Sequence, residues 1–268
     1  AKGVKPGINR NDVYSISVKI PPLLEQHHIV KILNKAFEGI EKAKENTGKN
    51  LKNSKELFEA YLQNIFLNQG KNWEIKKLKD IGRTQTGSTP RTSKKNYYGK
   101  YVPFIKPADV NILGNGIVRY DNEGLSESGL EVGRKIEKNS ILMVCIGASI
   151  GKVGFATQAV SCNQQINTLT PKSKFEAKIF YYILSTKSFF NKIIKGSSQA
   201  TLPIINKSKW ENLSVTFPKS LSKQKSIVAK LDALSFQTKK LEVIYRQKLV
   251  DLEELKKSIL KKAFNGQL

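Results

Sequence analysis

The sequence predicts an α+β protein that combines one globular α/β-type domain with two long helices packed as an antiparallel coiled coil. Two segments, 22–67 and 220–265, carry apolar residues at steps of three and four, the period of an amphipathic helix. An internal repeat with an offset of 197–198 residues relates the two segments. The chain between them is rich in glycine, proline and short apolar runs, which are typical of a compact globule.

The repeat already begins within the first twenty residues. Pro6 and Asn9 align with Pro203 and Asn206, so residues 4–20 repeat the pattern of residues 201–217. After one inserted residue the offset becomes 198, and it holds as far as Phe66 and Phe264. Such a constant offset indicates two copies of one structural unit. It disfavours the alternative of two unrelated surface helices on one globule.

The first long segment, 22–67, is predicted to be a helix with an apolar seam. Proline precedes it, which suits a helix start. Gly39 and Gly48 each lower helix stability by about 1 kcal/mol relative to alanine, so a kink or fraying is expected near Gly48. The expected seam residues are Ile29, Leu33, Ile40, Leu51 and Leu57.

The central segment, 73–217, loses the heptad pattern and is predicted to form the globule. Its short apolar runs predict strands at Tyr101–Ile105, Ser140–Cys145, Val153–Ala156 and Ile166–Leu169. Residues 175–194 are helix-like. The residues that this helix is expected to place in the core are Phe180, Ile183, Leu184 and Phe190.

The second long segment, 220–265, repeats the helical pattern. Its expected seam residues are Leu231, Leu241, Leu249 and Leu255. At 1.5 Å per residue, each long helix would extend ~60–68 Å. Neither helix can cover its apolar stripe alone, and a globule joins the two. We therefore expect them to pack against each other in antiparallel orientation.

The charge of the chain points to a polyanionic partner. Lys and Arg number 46 and Asp and Glu number 22, which gives a net charge of +24. Nucleic acid is the first candidate, because each phosphate that a protein neutralises releases counterions. The alternative is that lysine is frequent only because the coding sequence is AT-rich.

Several classes of function find no support in the sequence. No run approaches the ~20 apolar residues that span a bilayer, and no apolar core of a signal peptide follows the basic start. Two cysteines, Cys145 and Cys162, do not make a disulfide framework and are expected to be buried thiols in a reduced, cytoplasmic protein. The adjacent His27 and His28 would diverge on a helix, so no metal site is predicted.

Catalysis is not predicted either. The only Pro-Pro pair, Pro21-Pro22, lacks the preceding amide or acid and the following aromatic residue of an amino-methyltransferase. Two Glu-x-Lys triplets, at 74–76 and 176–178, echo half of a nuclease motif, but chance produces them in so lysine-rich a chain. The sequence therefore favours a binding module without a cofactor.

The order of segments resembles the DNA-specificity (S) subunit of type I restriction-modification systems, in which long conserved helices alternate with target-recognition domains. Each motif is weak alone, but their order and the repeat make the set specific, and it covers nearly the whole chain. The matching motifs are WEIKKLKDIGR (73–83), TGSTP (86–90), YVPFIKPADV (101–110), the glycine-rich turn 147–153, the strand 163–169, GSSQATL (196–202) and the helix start 218–231.

The resemblance implies a non-enzymatic, truncated or half-length S subunit with one recognition domain, because a complete one has two. It assigns residues 1–20 to the remnant of a preceding recognition domain, 22–67 and 220–265 to the conserved helices, and 73–217 to the recognition domain. It implies double-stranded DNA, methylating (M) subunits and restriction (R) subunits as partners. S-adenosylmethionine, ATP and magnesium would belong to those subunits. Self-association into a homodimer through the helical region is expected, because two half-length chains together would resemble one complete S subunit.

The DNA contacts are expected on polar, basic and aromatic stretches, because arginine pairs with guanine and asparagine or glutamine with adenine. We call residues 83–100 the basic loop. The alternatives are an ordinary solvated loop, a scaffold protein with incidental charge, or a standalone nuclease. The candidates in the basic loop are Arg83, Gln85, Arg91, Lys94, Lys95, Asn96, Tyr97, Tyr98 and Lys100. The candidates elsewhere are Arg119, Lys195, Ser197 and Gln199, with the 163–165 turn as a further stretch.

Overall fold

A computed structural model describes residues 7–17, 20–111, 116–198 and 202–268. The chain divides into two compact units. The first unit, residues 1–52 and 242–268, contains most of the first long helix and the end of the second. The second unit, residues 53–241, contains the globule with the adjoining helix ends. The predicted α+β fold class is confirmed.

Within the described residues the helices alternate irregularly with short strands. The helices are α1 (Arg10–Tyr14), α2 (Leu23–Leu67), α3 (Leu78–Ile81), α4 (Glu127–Val132), α5 (Ala177–Leu184), α6 (Lys187–Gly196), α7 (Lys207–Glu211) and α8 (Leu221–Phe264). The strands are β1 (Trp73–Lys77), β2 (Gly82–Thr86), β3 (Tyr98–Ile105), β4 (Gly124–Leu125), β5 (Ile141–Val144), β6 (Val153–Phe155), β7 (Ser161–Cys162), β8 (Ile166–Pro171) and β9 (Ser214–Pro218). α2 continues through Gly39 and Gly48 without a break.

Three small sheets form the globule. β2, β8, β5 and β6 make a four-stranded antiparallel sheet, and β1 pairs with β9. β3 lies between β4, which is antiparallel to it, and β7, which is parallel. The predicted strands at 101–105, 140–145, 153–156 and 166–169 correspond to β3, β5, β6 and β8, with ends that differ by up to three residues.

Aromatic side chains fill the core beneath the antiparallel sheet. Phe175, Phe180 and Phe217 pack edge to face with ring centroids 5.0–5.6 Å apart, and Trp210 is fully buried beside Met143. Packing of this kind stabilises a core beyond the burial of area alone. The globule therefore has its own hydrophobic core, which holds the sheet edges and loops in place.

The predicted helix at 175–194 is two helices, α5 and α6. Thr186 ends the first by donating from Oγ1 to the carbonyl of Ile183, and it caps the second by accepting from the amide of Phe189 at 3.2 Å. Because α6 takes a new direction, Phe190 is exposed, and the prediction that it lies in the core is wrong. Phe180, Ile183 and Leu184 are buried as predicted.

The two long helices are antiparallel. In the first unit Lys44 pairs with Glu253 at 2.5 Å and Lys256 with Glu41 at 2.9 Å. The residue numbers therefore increase along one helix where they decrease along the other. Lys256 also lies 5.2 Å from the centre of the Phe37 ring. These exposed ion pairs set the orientation more than they add stability.

Burial along the helices corrects part of the predicted seam. Of the nine expected residues, Ile40 and Leu231 are buried and Ile29, Leu33, Leu51 and Leu249 are half-buried. Leu57, Leu241 and Leu255 are exposed, so their predicted burial is wrong. Apolar steps of three and four left the buried face of each helix ambiguous, because both helices carry leucines on more than one face.

Serine and threonine residues occupy buried positions of the long helices that the apolar pattern did not identify. Thr47 and Ser54 follow Ile40 at steps of seven, and Thr238 follows Leu231 by the same step. Thr47 donates to the carbonyl of Ala43 at 2.7 Å, and Thr238 to that of Leu234 at 3.0 Å. A threonine that satisfies its hydroxyl on its own helix can be buried without a partner on the facing helix.

The internal repeat extends to matching short helices. α1 and α7 each span five residues at an offset of 197, and each is capped by asparagine, Asn9 or Asn206, whose side chain accepts from the backbone three residues on. Gln26 donates to the carbonyl of Pro21 at 2.8 Å, as Gln224 does to that of Pro218. The two copies therefore share local hydrogen bonds as well as sequence.

Candidate nucleic-acid interface

The basic loop begins as a strand and is tied to a neighbouring turn. Arg83 is exposed on β2, whereas Gln85 is half-buried, and its Oε1 has no hydrogen-bond partner within the described residues. A Cβ on Gly87 would lie 2.1 Å from the carbonyl oxygen of Asn163, so only glycine permits this close approach. The amide of Ser88 donates to the carbonyl of Cys162 at 2.9 Å.

The tip of the basic loop presents its side chains from a fixed backbone. Arg91, Lys94, Lys95 and Asn96 are exposed, and residues 95–97 form a single 3₁₀ turn. Ser126 holds this turn, because its hydroxyl donates to the carbonyl of Asn96 at 2.6 Å and its amide to that of Tyr97 at 3.0 Å. The exposed side chains are therefore positioned before any ligand binds.

Gly129 permits α4 to lie this close to the 3₁₀ turn of the basic loop. A Cβ on Gly129 would lie 1.9 Å from the carbonyl oxygen of Tyr97, which is closer than any real contact. Ser126 caps α4 by accepting from the amide of Gly129 at 3.1 Å, so the cap of the helix and the support of the loop share one side chain.

The tyrosines at the end of the loop serve mainly to support it. Tyr98 donates to the carbonyl of Pro90 at 2.8 Å and packs edge to face on Phe104 at 6.4 Å. Partial burial raises the pKa of Tyr98, and the nearby Glu123 raises it further, so the phenol stays protonated and able to donate. Tyr97 is half-buried, with Lys94 5.3 Å above the centre of its ring.

The 163–165 turn lies directly beside the loop. Thr89 donates to Oε1 of Gln164 at 2.5 Å. Asn163 is buried and exchanges hydrogen bonds with Gln165, at 3.0 Å and 3.2 Å, so these two residues are structural. Gln164 is exposed and is the member of this stretch that is available to a ligand.

The remaining candidates are spread over other elements. Lys195 is exposed on α6, and Ser197 is half-buried with its hydroxyl on the carbonyl of Ile194 at 2.8 Å. Gln199 lies outside the described residues. Arg119 is exposed, and its amide donates to the carbonyl of Asp109. No hydrogen bond or ion pair in the described part of the chain joins Arg119 or Lys195 to the basic loop.

Two exposed side chains near the loop were not among the predicted candidates. Arg134 follows α4 and donates from Nη1 to the carbonyl of Thr86 at 2.5 Å. Tyr101 follows Lys100 on β3 and is exposed. Arg134 is distant from the loop in sequence and had no local signal. Tyr101 was assigned to an apolar strand, where alternation alone did not show which face it occupies.

The reactive groups of the globule are not arranged for chemistry. Cys145 and Cys162 are buried free thiols, and burial raises the pKa of each to about 12, so they stay protonated. Among the described residues, no three histidine, cysteine or acidic side chains come together to hold a metal ion. Nor does any described helix have the length and apolar character that crossing a membrane would require.

The globule therefore presents a basic loop whose backbone is held by α4 and by the 163–165 turn, an arrangement suited to binding. Residues 70–248 match the family described as type I restriction modification DNA specificity domain. The chain therefore belongs to this family, and the resemblance predicted from the sequence is confirmed. A specificity subunit is itself non-catalytic, and the cofactors of these systems belong to the methylating and restriction subunits.

Two curated relatives illustrate the match. The chain is 29% identical over 199 residues to the HindI specificity subunit of Haemophilus influenzae, covering 73% of this chain and 42% of that protein. It is 26% identical over 185 residues to the MjaIX specificity subunit of Methanocaldococcus jannaschii, covering 68% and 43%. The matched part of the chain thus spans less than half the length of these relatives.

Two solved structures share the fold. The HsdS subunit from Thermoanaerobacter tengcongensis superposes with a TM-score of 0.65 at 23% identity, over 100% of this chain and 65% of that one. A chain from a structure of the assembly and conformational transition of a type I R-M system superposes with a TM-score of 0.81 at 23% identity, over 100% and 66%. At this level of identity the likeness concerns the fold.

Proposed function

We propose that the chain is a sequence-specific DNA-binding subunit that reads one half of a split site and scaffolds M and R subunits. The family match over residues 70–248 is the observation that carries this proposal. The exposed arginine, lysines and asparagine on the supported tip of the basic loop give it a chemical basis. The two buried free thiols agree with a reducing compartment, so we place its action in the cytoplasm.

Roles within the basic loop follow from side-chain chemistry. Arg91 has the paired donors that suit guanine, and Asn96 has the donor and acceptor that suit adenine. Lys94, Lys95 and Lys100 suit phosphate contacts, which set position rather than sequence. Gln85 is half-buried and keeps an unpartnered Oε1, and Tyr98 is half-buried and supports the loop, so both are less accessible to DNA than the tip.

The proposal includes a homodimer, for which the internal repeat provides a comparison within one chain. In the second unit Phe217, Val228 and Phe66 pack on the globule, and Phe66 meets Trp73 edge to face at 6.1 Å. Their repeat equivalents in the first unit are Ile20, Val30 and Phe264, with exposed fractions of 78%, 51% and 83%. These three residues of the first unit are therefore exposed at positions whose equivalents in the second unit are packed on the globule.

The same comparison holds for a hydrogen bond. Gln224 accepts from the amide of Glu176 at 2.9 Å while it donates to Pro218. Gln26 repeats the donation to Pro21, but among the described residues no amide donates to it.

We call the apolar group Ile16, Ile20, Leu23, Leu24 and Phe264 the end surface. A second copy would cover it through a two-fold axis, the commonest closure for identical chains.

Selection of duplexes tests the DNA-reading function. The chain, with its matching M subunit, would be incubated with a random duplex pool, and the bound fraction would be sequenced. We expect enrichment of a short motif, repeated in inverted order at a fixed gap if the chain dimerises. Binding without any enriched motif would contradict sequence reading. An affinity that is insensitive to salt would favour a scaffold with incidental charge, because phosphate contacts impose a steep salt dependence.

A further inference from the structure

β3 contains a bulge at its first half. Tyr98 and Val102 both lie opposite Leu125 of β4, so residues 99–101 are extra residues outside the ladder. A Cβ on Gly124 would lie 2.3 Å from the carbonyl oxygen of Gly99, so the partner strand fits closely under the bulge. Bulges of this kind redirect side chains and are common beside functional sites.

The bulge is held at both ends. On one side Tyr98 is fixed by its hydrogen bond to Pro90 and by Phe104. On the other side Val102 is buried in a small cluster with Phe104 and Leu125. The residues between these anchors, Lys100 and Tyr101, are exposed. Their position is therefore set by packing beneath them.

Tyr101 differs from the other tyrosines of this region. Tyr97 lies under Lys94, and Tyr98 is bonded to Pro90, whereas the Tyr101 side chain has no hydrogen-bond or ring partner among the described residues. Its exposed fraction is 61%. The bulge and the packing on either side of it fix the backbone at Tyr101, so the exposed ring is available to a ligand from a defined position.

The charges around the bulge favour nucleic acid as that ligand. Lys100 is adjacent, and the exposed tip of the basic loop, with Arg91, Lys94 and Lys95, precedes the same strand. Glu123, next to β4 in the chain, forms an ion pair with Lys106 and so is neutralised. Glu127 and Glu131, on α4, are exposed and are the acidic groups that remain on the neighbouring helix.

We propose that Tyr101 is a DNA-contacting residue whose ring packs against the bases of the half-site while Lys100 binds the adjoining phosphate. This inference rests on the proposed function and names a specificity contact outside the predicted candidates. In a duplex the faces of the bases are stacked on one another, so the ring would meet base edges in the groove. Such an apolar contact, for example with the thymine methyl group, does not depend on charge. A lysine–phosphate contact, in contrast, releases counterions and depends on salt.

The two contacts are separated by measuring Kd for the selected duplex at several salt concentrations. Tyr101→Ala should weaken binding roughly 5- to 100-fold, the scale of one mismatched base pair, with an unchanged salt slope. Tyr101→Phe should keep most of the affinity, since the ring is retained. Lys100→Ala should lower the salt slope by about 1. Phe236→Ala is the matched control, because Phe236 is an aromatic residue of the same unit with an exposed fraction of 69%.

The outcomes decide the inference separately from the proposed function. If Tyr101→Ala binds like the wild type while changes at the loop tip abolish recognition, Tyr101 does not contact DNA and the proposed function stands. If Tyr101→Ala keeps DNA affinity but loses the M subunit in a pull-down, the ring docks protein and the inference is overturned. If the wild-type chain selects no duplex, both fail. An unchanged melting temperature, with rescue by Tyr101→Phe, shows that loss of binding is not loss of folding.

Discussion

At the scale of single residues, the interface depends on supports as much as on the side chains it exposes. Ser126 and Gly129 hold the backbone of Asn96 and Tyr97, so the exposed Asn96 side chain has a fixed origin. The supports lie on α4, about thirty residues further along the chain, and only folding brings them under the loop. Affinity should therefore respond both to the exposed groups and to the groups that position them.

Replacing Arg91, Lys94 and Asn96 together by alanine should weaken specific binding without unfolding the globule. Each lost bidentate base contact should cost about 1–3 kcal/mol, and the lost lysine should also reduce the salt slope. Titration of the selected duplex, with a thermal melt of the free protein, checks both parts. Unchanged affinity would show that the loop tip does not reach DNA.

Gly129→Ala should lower the melting temperature and weaken DNA binding, because the new Cβ would lie 1.9 Å from the Tyr97 carbonyl and push the loop away. Gly39→Ala is the control, since no atom lies within 4 Å of its added Cβ on α2. That control should stabilise the protein by about 0.5–1 kcal/mol, the advantage of alanine over glycine in a helix. Similar melting temperatures for the two variants would contradict the close contact.

At the scale of elements, the long helices meet along heptad positions that include polar residues. Thr47, Ser54 and Thr238 are buried where leucine would give a larger apolar contact. The pair therefore has a less apolar interface than its leucine content indicates, and the exposed leucines contribute little to it. Individual leucines in the two helices should differ widely in their effect on stability.

Leu231→Ala should cost about 2–5 kcal/mol, because Leu231 is fully buried in the core cluster of the second unit. Leu255→Ala should cost much less, since the exposed fraction of Leu255 is 47%. Chemical denaturation of the two variants compares the same substitution at a buried and an exposed position. Equal losses would mean that Leu255 is covered in solution, as it would be by a partner.

At the scale of the whole molecule, the internal repeat gives the chain two copies of a helix start, whereas the described residues form one globule. In the end surface Ile20 is exposed whereas its repeat equivalent Phe217 is buried, and Phe264 is exposed whereas its equivalent Phe66 is half-buried. An exposed apolar group of this kind is typical of an interaction site, and the proposed dimer would use it.

The chain should form a dimer of twice 30.1 kDa at micromolar concentration, as measured by light scattering. Phe264→Ala should shift the equilibrium towards the monomer, because Phe264 is the aromatic residue of the end surface and its exposed fraction is 83%. Leu57→Ala is a control, since Leu57 is also exposed but lies in the second unit. A wild-type mass near 30.1 kDa at every concentration would contradict self-association and leave the M subunit as the cover of this surface.

The sequence alone determined the class of this protein. Helical periodicity and a constant repeat offset are local and additive signals, so they predicted the long helices without any contact being known. Short apolar runs between the helices predicted the α+β class, and the resemblance of the motifs and their order to a known family predicted the family. The basic loop was also evident, because charge and turn residues lie consecutively in it. The burial of Cys145 and Cys162 followed from their apolar neighbours.

Only the tertiary structure decided which of those residues face a partner. Gln85, Tyr98 and Asn96 lie in one stretch. Pairing of β2 with β8 leaves Gln85 half-buried, the bond to Pro90 makes Tyr98 a support, and Asn96 is exposed on the turn that Ser126 holds. The same holds for Leu231 and Leu255, which are alike in sequence and differ in burial. The physical reason is that exposure depends on contacts between residues far apart in the chain, such as Ser126 with Asn96 or Leu125 with both Tyr98 and Val102, and periodicity contains no information about them.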